Sequence, residues 1–116
     1  MSKGNTFEND LLLLIFNNTN IANLGDATGI RGSSAAGSLY LALHTADPGE
    51  AGDQTTSEAT YGSYARVAVA RTGGGFVVSG NNVQLAAAAD FPLGTSGTVS
   101  QNITHVSVGI SSSGTV

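Results

Sequence analysis

The chain is expected to be mainly β: a small antiparallel β-sandwich or jelly-roll-like barrel preceded by one short N-terminal α-helix. Three observations point there. Charged residues are only 10% of the 116 positions, while Gly is abundant at 16; ordinary soluble domains are about 25% charged. Short runs alternate apolar and polar residues between Gly-, Ser- and Asn-rich turns, the pattern of strands with one covered face. A single segment near the N-terminus instead places apolar residues at helical spacing.

Length and composition bound the rest. A chain of 116 residues suits one domain with one modest core. At 41% apolar and 10% charged it does not read as disordered, because disordered chains are rich in charge and poor in apolar residues. A neutral surface also suits packing against neighbours, since interface cores are depleted of charge. The net charge is −4, with Lys3, Arg31, Arg66 and Arg71 the only cations. A nucleic-acid backbone is gripped by clustered Lys and Arg, so a nucleic-acid partner is not expected. The chain has no cysteine, which removes disulfides and thiolate metal sites and fits synthesis in a reducing compartment. The run Leu11 to Phe16, "LLLLIF", is far short of the roughly 20 residues of a membrane span. It follows Glu8 and Asp10 rather than a basic region, so it does not read as a signal peptide.

The helix is expected over "NTFENDLLLLIFNNTN". Thr6 or Asn5 can cap its first turn, Glu8 and Asp10 suit the positive end of the dipole, and Asn17 and Asn18 end the run. Phe7, Leu11, Leu14 and Ile15 share a face, but Leu12, Leu13 and Phe16 point elsewhere. A helix apolar nearly all round must be covered on most sides. Either sheet and loops enclose it, or Leu11, Leu12, Leu13 and Phe16 meet another subunit. Residues 1–24 thus form a helix and arm, 25–38 a Gly/Ser-rich connection, and 39–116 an antiparallel β-domain.

Within that domain Leu39, Leu41 and Leu43 face one way, and Tyr40, Ala42 and His44 the other. "YARVAVART" alternates Val67 and Val69 against Arg66, Ala68 and Ala70. "GFVVSGNNVQLA" reads as a hairpin turning at Ser79-Gly80-Asn81-Asn82. Ala86 to Ala89 suits a short helical turn, against which Phe91-Pro92 favours extended chain. "NITHVSVGIS" puts Thr104, Val106, Val108 and Ile110 on one face, and "SSSGTV" looks like a turn into a further strand.

Candidate chemistry concentrates in "ADPGEAGDQTTSE", which holds four of the eight acidic residues: Asp47, Glu50, Asp53 and Glu58. A Ca²⁺ loop needs converging oxygens on tight turns, but the spacing does not match the EF-hand pattern. Asp47-Pro48-Gly49 is a turn signal in its own right, so the loop reads as a solvated rim and no metal is assigned. His44 and His105 lie opposite the apolar faces of their strands and read as ordinary surface or interface residues. No G-x-S-x-G elbow accompanies them, and no catalytic residue or cofactor is assigned. "RTGGGF" lacks the G-K-[ST] of a phosphate loop and reads as a turn. Arg66 and Arg71 lie near the acidic loop in sequence, where a cross-strand or intersubunit pair is expected. Tyr61 and Tyr64 suit an interface as well as they suit covering a loop.

"LYLALHTADPGEAGDQTTSEATYGSYARVAVAR", then "FVVSGNNVQLAAAADFP" and "THVSVGISSSG", resembles a family of small tailed-bacteriophage virion proteins, tail-fibre-like or capsid decoration-like. The likeness runs from about Leu39 to Gly114, and members tend to continue for another strand. The resemblance implies a structural part of the phage particle, made in the host cytoplasm, without catalysis or cofactor. The chain is short, has no repetitive shaft and carries a very apolar helix. The expected role is therefore a capsid decoration or cement protein, a homotrimer clamping the major capsid protein. Leu11, Leu12, Leu13, Phe16, Tyr61, Tyr64 and Arg66 are its interface candidates. The alternative is a tail-fibre-like or tail-associated module whose acidic loop contacts the host.

Overall fold

The computed structural model describes residues 4–22, 32–95 and 100–116. It is mainly β, with antiparallel sheets and one short helix, as the periodicities require. In chain order the elements are α1 (Asn5–Asn17), β1 (Ser38–His44), β2 (Val67–Ala70), β3 (Phe76–Ser79), β4 (Asn82–Leu85) and β5 (His105–Gly109). The expected helical turn at Ala86–Ala89 does not form, and residues 25–31 of the expected connection lie outside the described residues. No helix among the described residues is long and apolar enough to cross a membrane.

The chain divides into two compact units. One comprises Met1–Ser38 with Ala70–Ala88, the other Leu39–Val69 with Ala89–Val116. In the first, α1 packs on the β3–β4 hairpin. The hairpin pairs Phe76 with Leu85 and Ser79 with Asn82. Its turn places Gly80 at φ 59°, a left-handed value that glycine adopts at the first central position of a II′ turn without steric cost. The Phe16 ring meets Phe76 edge-on, centroids 5.0 Å apart, and Phe76 is buried. No residue of α1 is fully buried; Leu11 to Leu14 are half-covered, and Phe7 and Ile15 are exposed.

Neither Thr6 nor Asn5 caps the helix. The cap is Gly4, extended at φ −69° and ψ 145°, with no side-chain bond to the first turn. At the other end Asn18 turns left-handed at φ 54°, and the Thr19 N–H donates to Leu13 O at 3.0 Å. The last turn has no basic residue of its own. Arg71 supplies the cation from the chain beyond β2, donating from Nε to Ile15 O at 2.7 Å and from Nη2 to Leu14 O at 2.9 Å. Its Nη1 donates to Ala36 O at 3.2 Å. Arg71 therefore serves the helix end rather than the acidic loop, because terminal carbonyls have no partner within their own helix. Arg71→Ala should cost about 1–2 kcal/mol, from lost charged hydrogen bonds and a lost cation at the dipole's negative end. Urea unfolding would measure the loss, and amide exchange at Asn18 and Thr19 should accelerate.

In the second unit the sheet order is β2-β1-β5. β1 and β5 run antiparallel, pairing Leu41 with Val108, Ala42 with Ser107 and His44 with His105. As the central strand, β1 is covered on both faces: Leu39 and Leu41 are buried on one, Ala42 and His44 on the other. Just past β1, Thr45 N–H donates to Ser57 O and Ala59 N–H to Leu43 O, both at 2.8 Å. These bonds draw the end of the acidic loop along the strand and set Glu58 opposite His44.

Candidate functional site

The two bonds that anchor Ser57 and Ala59 also carry Gln54, Thr56 and Glu58 against the His44 side of β1. There a chain of polar contacts forms with one consistent direction. Arg66 Nη1 donates to Gln54 Oε1 at 2.9 Å. Gln54 Nε2 donates to Ser107 Oγ at 3.3 Å and to Tyr40 O at 3.2 Å. Ser107 Oγ lies 2.8 Å from His44 Nε2, and His44 Nδ1 lies 2.8 Å from Thr56 O. A carbonyl can only accept, so Nδ1 carries a proton; in the neutral ring Nε2 then accepts from the Ser107 hydroxyl, which itself accepts from Gln54. Among the described residues every buried side-chain nitrogen and oxygen has a partner. His44 is 0% exposed. It is not the surface or interface residue that strand alternation implied, because a second layer of chain covers the face on which it stands.

The cationic end of this chain is a clamp. Arg66 meets Glu58 through two parallel bonds, Nε to Oε1 at 2.7 Å and Nη2 to Oε2 at 2.8 Å, the bidentate geometry that a planar guanidinium matches best. The Arg66 side chain is 2% exposed and that of Glu58 17%. The remaining donors reach the C-terminal segment: Nη2 to Gly114 O at 2.7 Å, and Nη1 to Ser111 O at 3.2 Å and Val116 O at 3.5 Å. Tyr64 completes the site, donating to Glu58 Oε1 at 3.0 Å while its oxygen accepts from the Leu43 N–H at 3.0 Å. Gly109 lies so close to the Gln54 amide that a side chain there would displace it.

The electrostatics follow from these contacts. The Arg66 guanidinium holds the Glu58 carboxyl below its ordinary value; desolvation opposes this, and the Tyr64 hydroxyl adds to it. Burial above all pushes the Tyr64 phenol up to about 12, with the Glu58 contact contributing. The signs predict a two-sided stability profile. Glu58 binds its proton more weakly folded than unfolded, so its stabilisation is present above pH 4.5 and is lost as pH falls through the depressed folded value. Tyr64 holds its proton more tightly when folded, so its stabilisation is full below pH 10 and lost as pH rises toward 12. Urea midpoints measured across pH should show both limbs. Glu58→Gln should flatten the acid limb and Tyr64→Phe the alkaline one.

The outer part of the loop is a rim. Asp47 Oδ1 accepts from the Gly49 N–H at 2.9 Å, an Asx turn. Asp53 Oδ1 accepts from the Thr55 hydroxyl at 2.6 Å and the Thr55 N–H at 2.8 Å, which hold its carboxyl below the ordinary range. Among the described residues no three His, Cys, Asp or Glu side chains group to hold a metal. Of the four acidic residues Glu58 alone leaves the rim, claimed by Arg66.

The structure brings Tyr64 and Arg66 together and uses both within the chain. Tyr61 packs edge-on against Tyr64, centroids 5.3 Å apart, and donates to Pro92 O at 3.0 Å. Leu11, Leu12, Leu13 and Phe16 lie on α1 in the other unit. His105 is exposed, its Nδ1 2.9 Å from Thr104 Oγ1. Sequence reading missed Gln54 and Ser107 altogether; neither carries a charge, and no local pattern marks either. The Ser107–His44 contact has the spacing of an activated hydroxyl. Yet the ring's other nitrogen rests on a backbone carbonyl rather than a carboxylate, and both roles of Oγ are taken by His44 and Gln54. The arrangement suits cross-linking of strand, loop and C-terminal segment.

Residues 3–115 match the family model described as "Podophage GP4 fiber I protein gp80". No curated protein and no solved structure matched the chain.

Proposed function

We propose, because the chain belongs to the Podophage GP4 fiber I protein family, that it is a non-enzymatic building block of the tail-fibre region. Membership makes it a tailed-phage structural protein of tail-fibre-like kind and a component of the virion. The match over residues 3–115 carries the proposal. It supports the fibre alternative rather than head decoration, which rested on the short chain, the lack of a shaft repeat and the very apolar helix. The polar network is consistent with this reading, since its hydrogen-bonding capacity goes into holding the fold. Copies of the chain are its proposed partners, while a contact with the major capsid protein belongs to the head reading. The exposed rim of Asp47, Glu50 and Asp53 is the surface proposed to face the host.

Cryo-electron microscopy of the intact particle, with an antibody to this chain, tests the proposal. Label confined to the tail and its fibres is the expected result. Label spread over the head lattice would overturn it in favour of a cement protein.

A further inference from the structure

Beside β5 an open groove runs with two unlike sides. Val106, Val108 and the adjoining Ile110 line one of them, 58%, 48% and 70% exposed. Ser107 and Gly109 face the other way, against the Gln54 side chain, so the acidic loop lies on that side. There Asp47 and Asp53 wall the groove. Each carboxylate uses Oδ1 within its own loop, Asp47 on the Gly49 N–H and Asp53 on Thr55. No cation among the described residues answers their second oxygens. Arg66 is committed to Glu58, Gln54 and the carbonyls of the C-terminal segment, and Arg71 to carbonyls of α1 and Ala36.

We propose that this groove takes an extended segment of a different protein of the particle, one in which Lys or Arg alternates with Val or Ile. An extended chain sends successive side chains to opposite faces, and a segment laid along a strand offers backbone pairing and alternate side chains together. Its apolar residues would cover Val106, Val108 and Ile110, while the cations between them reach Oδ2 of Asp47 and Asp53. Charge selects this occupant against a second copy. The copy's own "HVSVG" holds no Lys or Arg, and it brings the same carboxylates to a groove that already has two. From the fibre reading the proposal takes only that the partner belongs to the same particle.

The test titrates the full chain into a fluorescently labelled synthetic peptide of alternating Lys and Val, followed by anisotropy at low salt. Saturable binding is expected, weakened at least about tenfold by the double substitution Asp47→Asn/Asp53→Asn. Asparagine keeps Oδ1 as an acceptor, so both turns of the loop survive. Glu8→Gln/Asp10→Asn removes as much charge from α1 and should leave binding unchanged. Added salt should weaken binding by screening. Two further peptides separate shape from charge: one with the same Lys and Val in two blocks, and one N-methylated along its backbone. Both should bind far less. Absent binding, equal binding of the block peptide, or equal losses from the loop and α1 variants would overturn the proposal. So would sedimentation equilibrium showing that copies of the chain pair along the groove and exclude the peptide. None of these results depends on where the protein sits in the particle, so this proposal and the fibre reading fail separately.

Discussion

Arg66→Ala should lower the unfolding free energy by about 3 kcal/mol, at the lower end for breaking a buried ion pair because Glu58 keeps some contact with water. The substitution leaves Glu58 with Tyr64 as its remaining side-chain partner and strips the donor from Gln54 Oε1. It also frees the carbonyls of Ser111, Gly114 and Val116. Two readouts separate the clamp from a generic loss of packing. Amide exchange over 111–116 should rise more than in β1, since that segment hangs on the guanidinium. Arg66→Lys should fall between wild type and Ala, because an ammonium keeps the charge but cannot reproduce the paired bonds to Glu58. A loss below about 1 kcal/mol, the ordinary worth of an exposed pair, would show that the clamp contributes little.

His44→Leu should cost about 2–3 kcal/mol despite exchanging a polar side chain for an apolar one of similar size, because it leaves buried groups unpaired. Thr56 O loses its donor and the Ser107 hydroxyl its acceptor, and no solvent reaches the vacated ring position. Ser107→Ala should cost less, since Gln54 retains its bond to Tyr40 O. If the contacts act as one chain, the double variant Arg66→Ala/His44→Leu will depart from the sum of the singles by at least about 0.5 kcal/mol. Strict additivity in urea unfolding would show that the two ends are independent.

The sequence pointed Arg66 toward a partner in the acidic loop, where it meets Glu58, without marking the pair as buried; it presented His44 as the outward member of an alternating pair. Period-two alternation says which side chains share a face, but not whether that face meets water. β1 is covered on both faces because the acidic loop folds back over it, held by Thr45–Ser57 and Leu43–Ala59. The partners lie far apart in the chain: Ser107 stands 63 positions after His44, and Gly114 48 positions after Arg66. The same holds for Arg71, which caps a helix 56 positions earlier in the chain.

What the sequence by itself determined is what depends on near neighbours. The α1 run, the five alternating strands and the Gly80 turn follow from spacing and backbone freedom over a few residues. Scarce charge suited a surface that packs against neighbours, and the central block resembled a family of virion proteins. The tertiary structure alone decided which acidic residue leaves the rim, which histidine is buried and which arginine serves the helix. Each of those choices depends on removing a polar group from water at a place where a distant segment supplies its partner.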